Sequence, residues 1–210
     1  MALSPDISAT PAATGQRPVS PAGARKAPAC TLVIFGAHGD LTKRLLVPAL
    51  YNLVGNGLLD DGFRIIGVDR VDSTTAQWRD GLHEMMLSFT KDPDAEFHPA
   101  SIDAAQWGWL ADRMEYVQAD FGDVAAIRAL GEKLPGNAIF YLAIPSRFFA
   151  PVVETLGKAG VVAQKVGAFR RVVIEKPFGS DLASARELNR QVLAVLDESQ
   201  VFRIDHFLGK

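Results

Sequence analysis

An apolar run that ends on a glycine turn and passes straight into a helical pattern constrains this chain more than any other feature. It reads Thr31-Leu32-Val33-Ile34-Phe35-Gly36-Ala37-His38-Gly39-Asp40-Leu41. Five strand-forming residues with no polar alternation predict an interior parallel strand. Gly36 lets the chain turn tightly and bring backbone N–H groups near a ligand. Leu45, Leu46, Ala49, Leu50 and Leu53 recur at helical spacing, so a helix opens at the turn and aims its positive end there. Such a corner suits a dinucleotide pyrophosphate held by Gly36, Ala37, His38, Gly39, Asp40 and Leu41. The Gly-x-x-Gly spacing is shorter than the full Gly-x-Gly-x-x-Gly fingerprint, and the same corner occurs in α/β folds that bind nothing.

The rest of the chain continues the pattern. Apolar runs at 31–35, 63–68, 114–118, 137–142, 171–174 and 201–204 read as strands. Helical patterns fall near 42–54, 74–89, 102–112, 122–133, 147–158 and 181–197. This alternation predicts an α/β fold, a Rossmann-like, doubly wound and mostly parallel sheet, with ligands outside the carboxyl ends of its strands. Residues 1–30 differ, being rich in Ala, Pro, Ser and Thr with hardly any large apolar residues, and read as a disordered tail. Arg17, Arg25 and Lys26 only loosely imitate a transit peptide, and no apolar run there makes a signal peptide or a membrane span.

Composition excludes some partners. A net charge of −2 over 210 residues, with scattered basic residues, provides no field for nucleic acid. The single cysteine, Cys30, cannot form an internal disulfide and fits a reducing, cytoplasmic setting. Trp107 and Trp109 read as packing residues.

Three further strand ends carry chemistry. The second strand ends Gly67-Val68-Asp69-Arg70, where an acid favours NAD through a ribose 2′-OH and an arginine favours NADP through the 2′-phosphate. Arg70 is the preferred NADP reader, with NAD use left open. The fourth strand ends Leu142-Ala143-Ile144-Pro145-Ser146, where Ala143 allows close passage of a coenzyme and Ser146 is placed to cap the next helix. The fifth ends Val172-Val173-Ile174-Glu175-Lys176-Pro177-Phe178-Gly179, putting the Lys176 cation at the sheet edge beside a hinge able to adopt the cis form. The sixth leads into Asp205-His206-Phe207-Leu208-Gly209-Lys210, a group suited to an anion or to acid-base chemistry.

Together the glycine turn, the Glu175-Lys176-Pro177-Phe178-Gly179 block and Arg203-Ile204-Asp205-His206-Phe207-Leu208-Gly209-Lys210 resemble the glucose-6-phosphate dehydrogenase family over residues 31–210. The resemblance implies an NADP-dependent oxidation of glucose 6-phosphate at C1 to the 6-phosphogluconolactone, in the pentose phosphate pathway. It implies that Arg70 holds the coenzyme 2′-phosphate, that Lys176 touches coenzyme and substrate, and that His206 and Lys210 hold the sugar phosphate. It also implies that Asp205 orients a catalytic histidine several tens of residues beyond Lys210, in a second, α+β substrate domain which this chain lacks. On that basis 31–205 is the coenzyme domain and 206–210 the start of the absent one. The 210-residue chain is then expected to bind coenzyme and not to turn over, since losing a general base costs about 10²- to 10⁴-fold. Full-length relatives are expected to be homo-oligomers.

Two departures concern the substrate. Leu45 stands where the family often has a third basic residue, and Phe207 replaces the usual tyrosine. A related sugar phosphate is therefore one alternative, and a noncatalytic nucleotide-binding module another.

Overall fold

Because Thr31–Phe35 (β1) is buried at all five positions, it needs cover on both faces of the sheet. The computed structural model describes residues 25–92, 95 and 97–204 and supplies that cover. β1 pairs in parallel with Arg64–Asp69 (β2) on one side and Ala138–Leu142 (β4) on the other. Met114–Gln118 (β3), Arg170–Glu175 (β5) and Val201–Ile204 (β6) complete the parallel order β3-β2-β1-β4-β5-β6. The direction of winding reverses at β1, between β2 and β4. That reversal is the position at which open α/β sheets hold ligands.

Alternate residues of each strand face opposite layers. Val33, Phe35 and Phe140 pack with Val124–Glu132 (α4), Phe149–Ala159 (α5) and Leu182–Leu193 (α6). Leu32, Ile34 and Ile65 pack with Val47–Gly55 (α1), Thr75–Phe89 (α2) and Ala104–Ala111 (α3). The doubly wound expectation holds, and all five pairings are parallel. At the amino end of β5 the buried Arg170 guanidinium donates to the carbonyls of Gly136, Phe169 and Leu134, fastening the entry to β4.

Several helices differ from their expected form for local reasons. The pattern at 42–54 is not one continuous α-helix. Thr42–Leu46 forms a π-turn in which Val47 N–H reaches the Thr42 carbonyl, and α1 follows. Pro48 has no N–H to offer the carbonyl four residues back, so the α ladder cannot run evenly through this segment. Ser146 does not cap the next helix: Ser146–Phe148 is a 3-10 turn led by Pro145, and α5 begins after it without a side-chain cap. The pattern at 181–197 stops at Leu193, and Asp197 instead opens the short 3-10 turn Glu198–Gln200 before β6. Among the described residues no helix is long and apolar enough to cross a membrane, and no cluster of three or more His, Cys, Asp or Glu could hold a metal ion.

Candidate functional site

The glycine turn closes over the carboxyl end of β2, and almost every polar group in it has a defined partner. Gly36 N–H and Ala37 N–H both donate to the Val68 carbonyl, at 3.0 and 3.2 Å. His38 N–H donates to Asp69 Oδ2 at 2.9 Å, and Gly39 N–H to the Gly36 carbonyl at 3.0 Å. The Gly36 carbonyl also accepts from Thr42 Oγ1 at 2.8 Å, while the Ala37 carbonyl accepts from the indole N–H of Trp78 at 3.0 Å. The N–H groups of Gly36 and Ala37 are therefore taken up by β2. The first helical bond runs from Lys43 N–H to the Gly39 carbonyl at 3.1 Å. It leaves the N–H groups of Asp40, Leu41 and Thr42 in the opening turn without helical acceptors. Those three donors, at the positive end of a helix, suit a pyrophosphate.

Two glycines make the corner possible. Gly36 has φ +89°, and a Cβ there would lie 2.3 Å from the Ala143 carbonyl oxygen. A Cβ on Gly39 would meet the Gly36 carbonyl at 3.1 Å. The corner of β1 thus rests backbone to backbone against the end of β4, with no room for a side chain at either glycine. Its residues fit a dinucleotide.

Around the corner the strand ends line up as β2, β1, β4, β5. Arg70 is exposed, and its guanidinium makes no hydrogen bond or ion pair among the described residues. Ala143 is buried against Gly36. On β5, the buried Glu175 carboxylate accepts a 2.5 Å hydrogen bond from the Tyr141 hydroxyl. Burial and that carboxylate push the Tyr141 phenol far up, so it is a permanent donor. Lys176 follows Glu175 at the edge, half-buried, and the Lys176–Pro177 peptide is cis, as its sequence allowed. β6 ends at Ile204, opposite Glu175. Asp205, His206 and Lys210, like Phe207, lie outside the described residues.

His38 contributes more than its backbone. Its ring packs edge-on against Tyr116 at 5.1 Å, and its Nδ1 lies 3.9 Å from Asp69 Oδ2 with no hydrogen-bond partner among the described residues. Burial lowers its pKa, Asp69 opposes that shift, and Lys43 adds to it. Tyr116 is pushed up to about 12 by burial and by Asp69 and Asp72. Cys30 takes no part in this site, and burial raises its thiol pKa despite Arg171 nearby. Trp107 stacks on His83 within the core, and Arg113 covers the ring of Trp109.

Trp78 and Thr42 belong to the site, although sequence reasoning singled out neither. Gly67 is the signal for Trp78: glycine in a buried strand marks a close approach. The Trp78 ring atoms lie 2.6 Å from where a Gly67 Cβ would stand. No comparable signal marks Thr42.

A family model described as the NAD-binding domain of glucose-6-phosphate dehydrogenase matches residues 33–210. The chain belongs to the glucose-6-phosphate dehydrogenase family. It is 40% identical over 190 residues to glucose-6-phosphate 1-dehydrogenase 2 of Mycobacterium tuberculosis, covering 86% of this chain and 35% of that protein. It is 36% identical over 195 residues to the Chlamydia muridarum enzyme, covering 87% of this chain and 37% of that one. The crystal structure of the Mycobacterium avium enzyme superposes with a TM-score of 0.74 at 40% identity, over 87% of this chain and 37% of the other. A glucose-6-phosphate dehydrogenase solved in complex with its substrate gives 0.71 at 30% identity, over 89% and 38%. The chain therefore spans little more than a third of the length of these relatives and aligns with the dinucleotide-binding part of the family.

Proposed function

We propose that this chain supplies the NADP-binding domain of a dehydrogenase that oxidises glucose 6-phosphate at C1 to the 6-phosphogluconolactone. The observation that carries the proposal is the corner itself: Gly36 at φ +89° against the Ala143 carbonyl, three opening-turn N–H groups that no helical carbonyl takes up, and Arg70, unpaired among the described residues, just past the end of the neighbouring β2. The amides of Asp40, Leu41 and Thr42 take the pyrophosphate. The Arg70 guanidinium pairs with the 2′-phosphate, a contact NAD cannot offer. Lys176 presents its cation to coenzyme and substrate. Asp205, His206 and Lys210 keep the roles their motif implies, the first orienting a histidine base and the other two holding the sugar phosphate. Bound NADP accepts the hydride from C1.

Residues 31–205 form the coenzyme domain in this proposal, 1–30 a tail, and 206–210 the lead into a second domain that carries the base and the subunit contacts of a homo-oligomer. A cytoplasmic setting fits the lone, half-buried Cys30.

Titration of the 210-residue chain with NADP and NAD, followed by tryptophan fluorescence, tests the proposal. Saturable binding that favours NADP and weakens in Arg70→Ala is expected. A folded chain that binds neither nucleotide would overturn it. A second reading, a related sugar phosphate as substrate, is favoured by Leu45. With Asp40, Leu41, Arg44, Phe89 and Phe97 it lines a cavity of about 290 Å³, where a further cation would suit glucose 6-phosphate. Calorimetric comparison of glucose 6-phosphate with other sugar phosphates separates the two.

A further inference from the structure

A carboxylate at the end of the second strand of a dinucleotide-binding sheet ordinarily reads the ribose 2′-hydroxyl. We propose that Asp69 does not: it is a positioning residue that ties the glycine turn to β2, so that it supports both coenzymes alike and leaves discrimination to Arg70. This inference rests on the coenzyme reading given above.

Each oxygen of the Asp69 carboxylate is held by a different backbone donor. Oδ2 accepts from His38 N–H at 2.9 Å, and Oδ1 from Arg70 N–H at 2.8 Å. The side chain is only 16% exposed. The main chain on which it sits is held as well, since the Asp69 carbonyl accepts from Ala119 N–H at 2.9 Å and from the Tyr116 hydroxyl at 3.2 Å. The carboxylate therefore projects from a fixed strand end and faces back into the turn.

Its partner in the turn completes a series. Gly36, Ala37 and His38 send three consecutive N–H groups to Val68 and Asp69, the last two residues of β2. Val68 supplies its backbone carbonyl for two of them. Only the third depends on a side chain, and that bond is charge-assisted, which roughly doubles its strength over a neutral one. Without Asp69, His38 N–H has no acceptor, and Gly39 and the opening amides of the helix lose the anchor that sets their direction. NAD and NADP share the pyrophosphate those amides face, so both should weaken by one common factor. An acid that read ribose would behave differently: removing it would harm NAD alone and spare or improve NADP, whose 2′-phosphate it repels.

The test compares Asp69→Ala, Asp69→Asn and Arg70→Ala with the wild-type 210-residue chain. Dissociation constants for NADP and NAD are measured at a temperature where circular dichroism shows each variant folded. A role confined to global stability would lower the melting temperature without moving either constant. Asp69→Ala is expected to weaken both coenzymes by about tenfold, the size of one hydrogen bond to a charged group. Asp69→Asn keeps one acceptor oxygen and is expected to fall between Asp69→Ala and wild type, by about threefold for each coenzyme. It carries the test if Asp69→Ala does not fold. Throughout, the ratio of the two constants stays at the wild-type value, whereas Arg70→Ala changes that ratio. Selective loss of NAD binding in either Asp69 variant, or unchanged binding of both coenzymes, overturns the inference while the coenzyme reading stands. Absence of binding to folded wild type removes the coenzyme reading, and this inference with it.

Discussion

Replacing Gly36 by alanine tests the corner on which everything else depends. The residue has φ +89°, which costs an L side chain about 1–2 kcal/mol. The added Cβ would also stand 2.3 Å from the Ala143 carbonyl oxygen and 3.1 Å from both the Ala143 carbonyl carbon and Ile144 Cγ2. Bringing the oxygen to a tolerable separation requires the ends of β1 and β4 to part by about 0.7 Å, in a close-packed interior with little room to yield. Both strands lie inside the sheet, so the strain resembles overpacking and costs about 1–3 kcal/mol more. The sum, about 2–5 kcal/mol, is a large share of the 5–15 kcal/mol typical of a domain. Gly160→Ala is the control. Gly160, at the end of α5, has φ +76° but nothing within 4 Å of its Cβ position, so it carries only the conformational cost. Urea unfolding followed by circular dichroism should rank wild type above Gly160→Ala, and Gly160→Ala above Gly36→Ala, with coenzyme binding lost in the last alone. Equal stability of the two variants would refute the steric argument.

Gly81, exposed within α2 with nothing within 4 Å of its Cβ position, should give about 0.5–1 kcal/mol of added stability as Gly81→Ala, read as a higher urea midpoint. Trp78→Phe strands the Ala37 carbonyl and should cost about 1–3 kcal/mol or more. Because the Trp78 ring overlies Gly67, Gly67→Ala should be less harmful in that background than in wild type, and a double-mutant cycle measures the difference. The pKa of His38 is lowered on folding from its ordinary 6.5, so the unfolded chain takes the proton first. Stability present above pH 6.5 should therefore fall as pH drops through 6.5 towards the folded value, and His38→Asn should flatten that decline in unfolding measured between pH 7.5 and 5.5.

Strand positions were legible from short runs of strand-forming residues set between helical patterns, whether buried throughout like β1 or only in part like β3 and β6. β1, β3 and β6 occupy 31–35, 114–118 and 201–204, as their residues imply. The glycine turn was legible for a related reason, since strand, glycine and helix in immediate succession leave the chain one way to turn. The side-chain partners were not. Asp69 and Arg70 are adjacent and both plausible readers of a coenzyme, and only the fold shows one carboxylate folded back onto His38 and one guanidinium without a partner among the described residues. Ser146 has the chemistry of a cap, but Pro145 precedes it and the segment tightens into a 3-10 turn, so the hydroxyl caps nothing. Phe202 and Ile204 belong to an apolar strand run and are 42% and 37% exposed, because β6 is the last strand of the described sheet and periodicity does not report what lies beyond an edge.

The contact between Gly36 and Ala143 joins segments separated by more than one hundred residues of chain, and the links from His38 to Asp69 and from Ala37 to Trp78 also cross long intervals. No local stretch can build the corner by itself. It exists only after β2, α2 and β4 have come to rest around β1, and pairings of such long range are late and slow to form. A chain emerging during synthesis is thus blind to nucleotide until most of the domain has been made. A nucleotide that binds only the assembled corner stabilises the folded state by mass action.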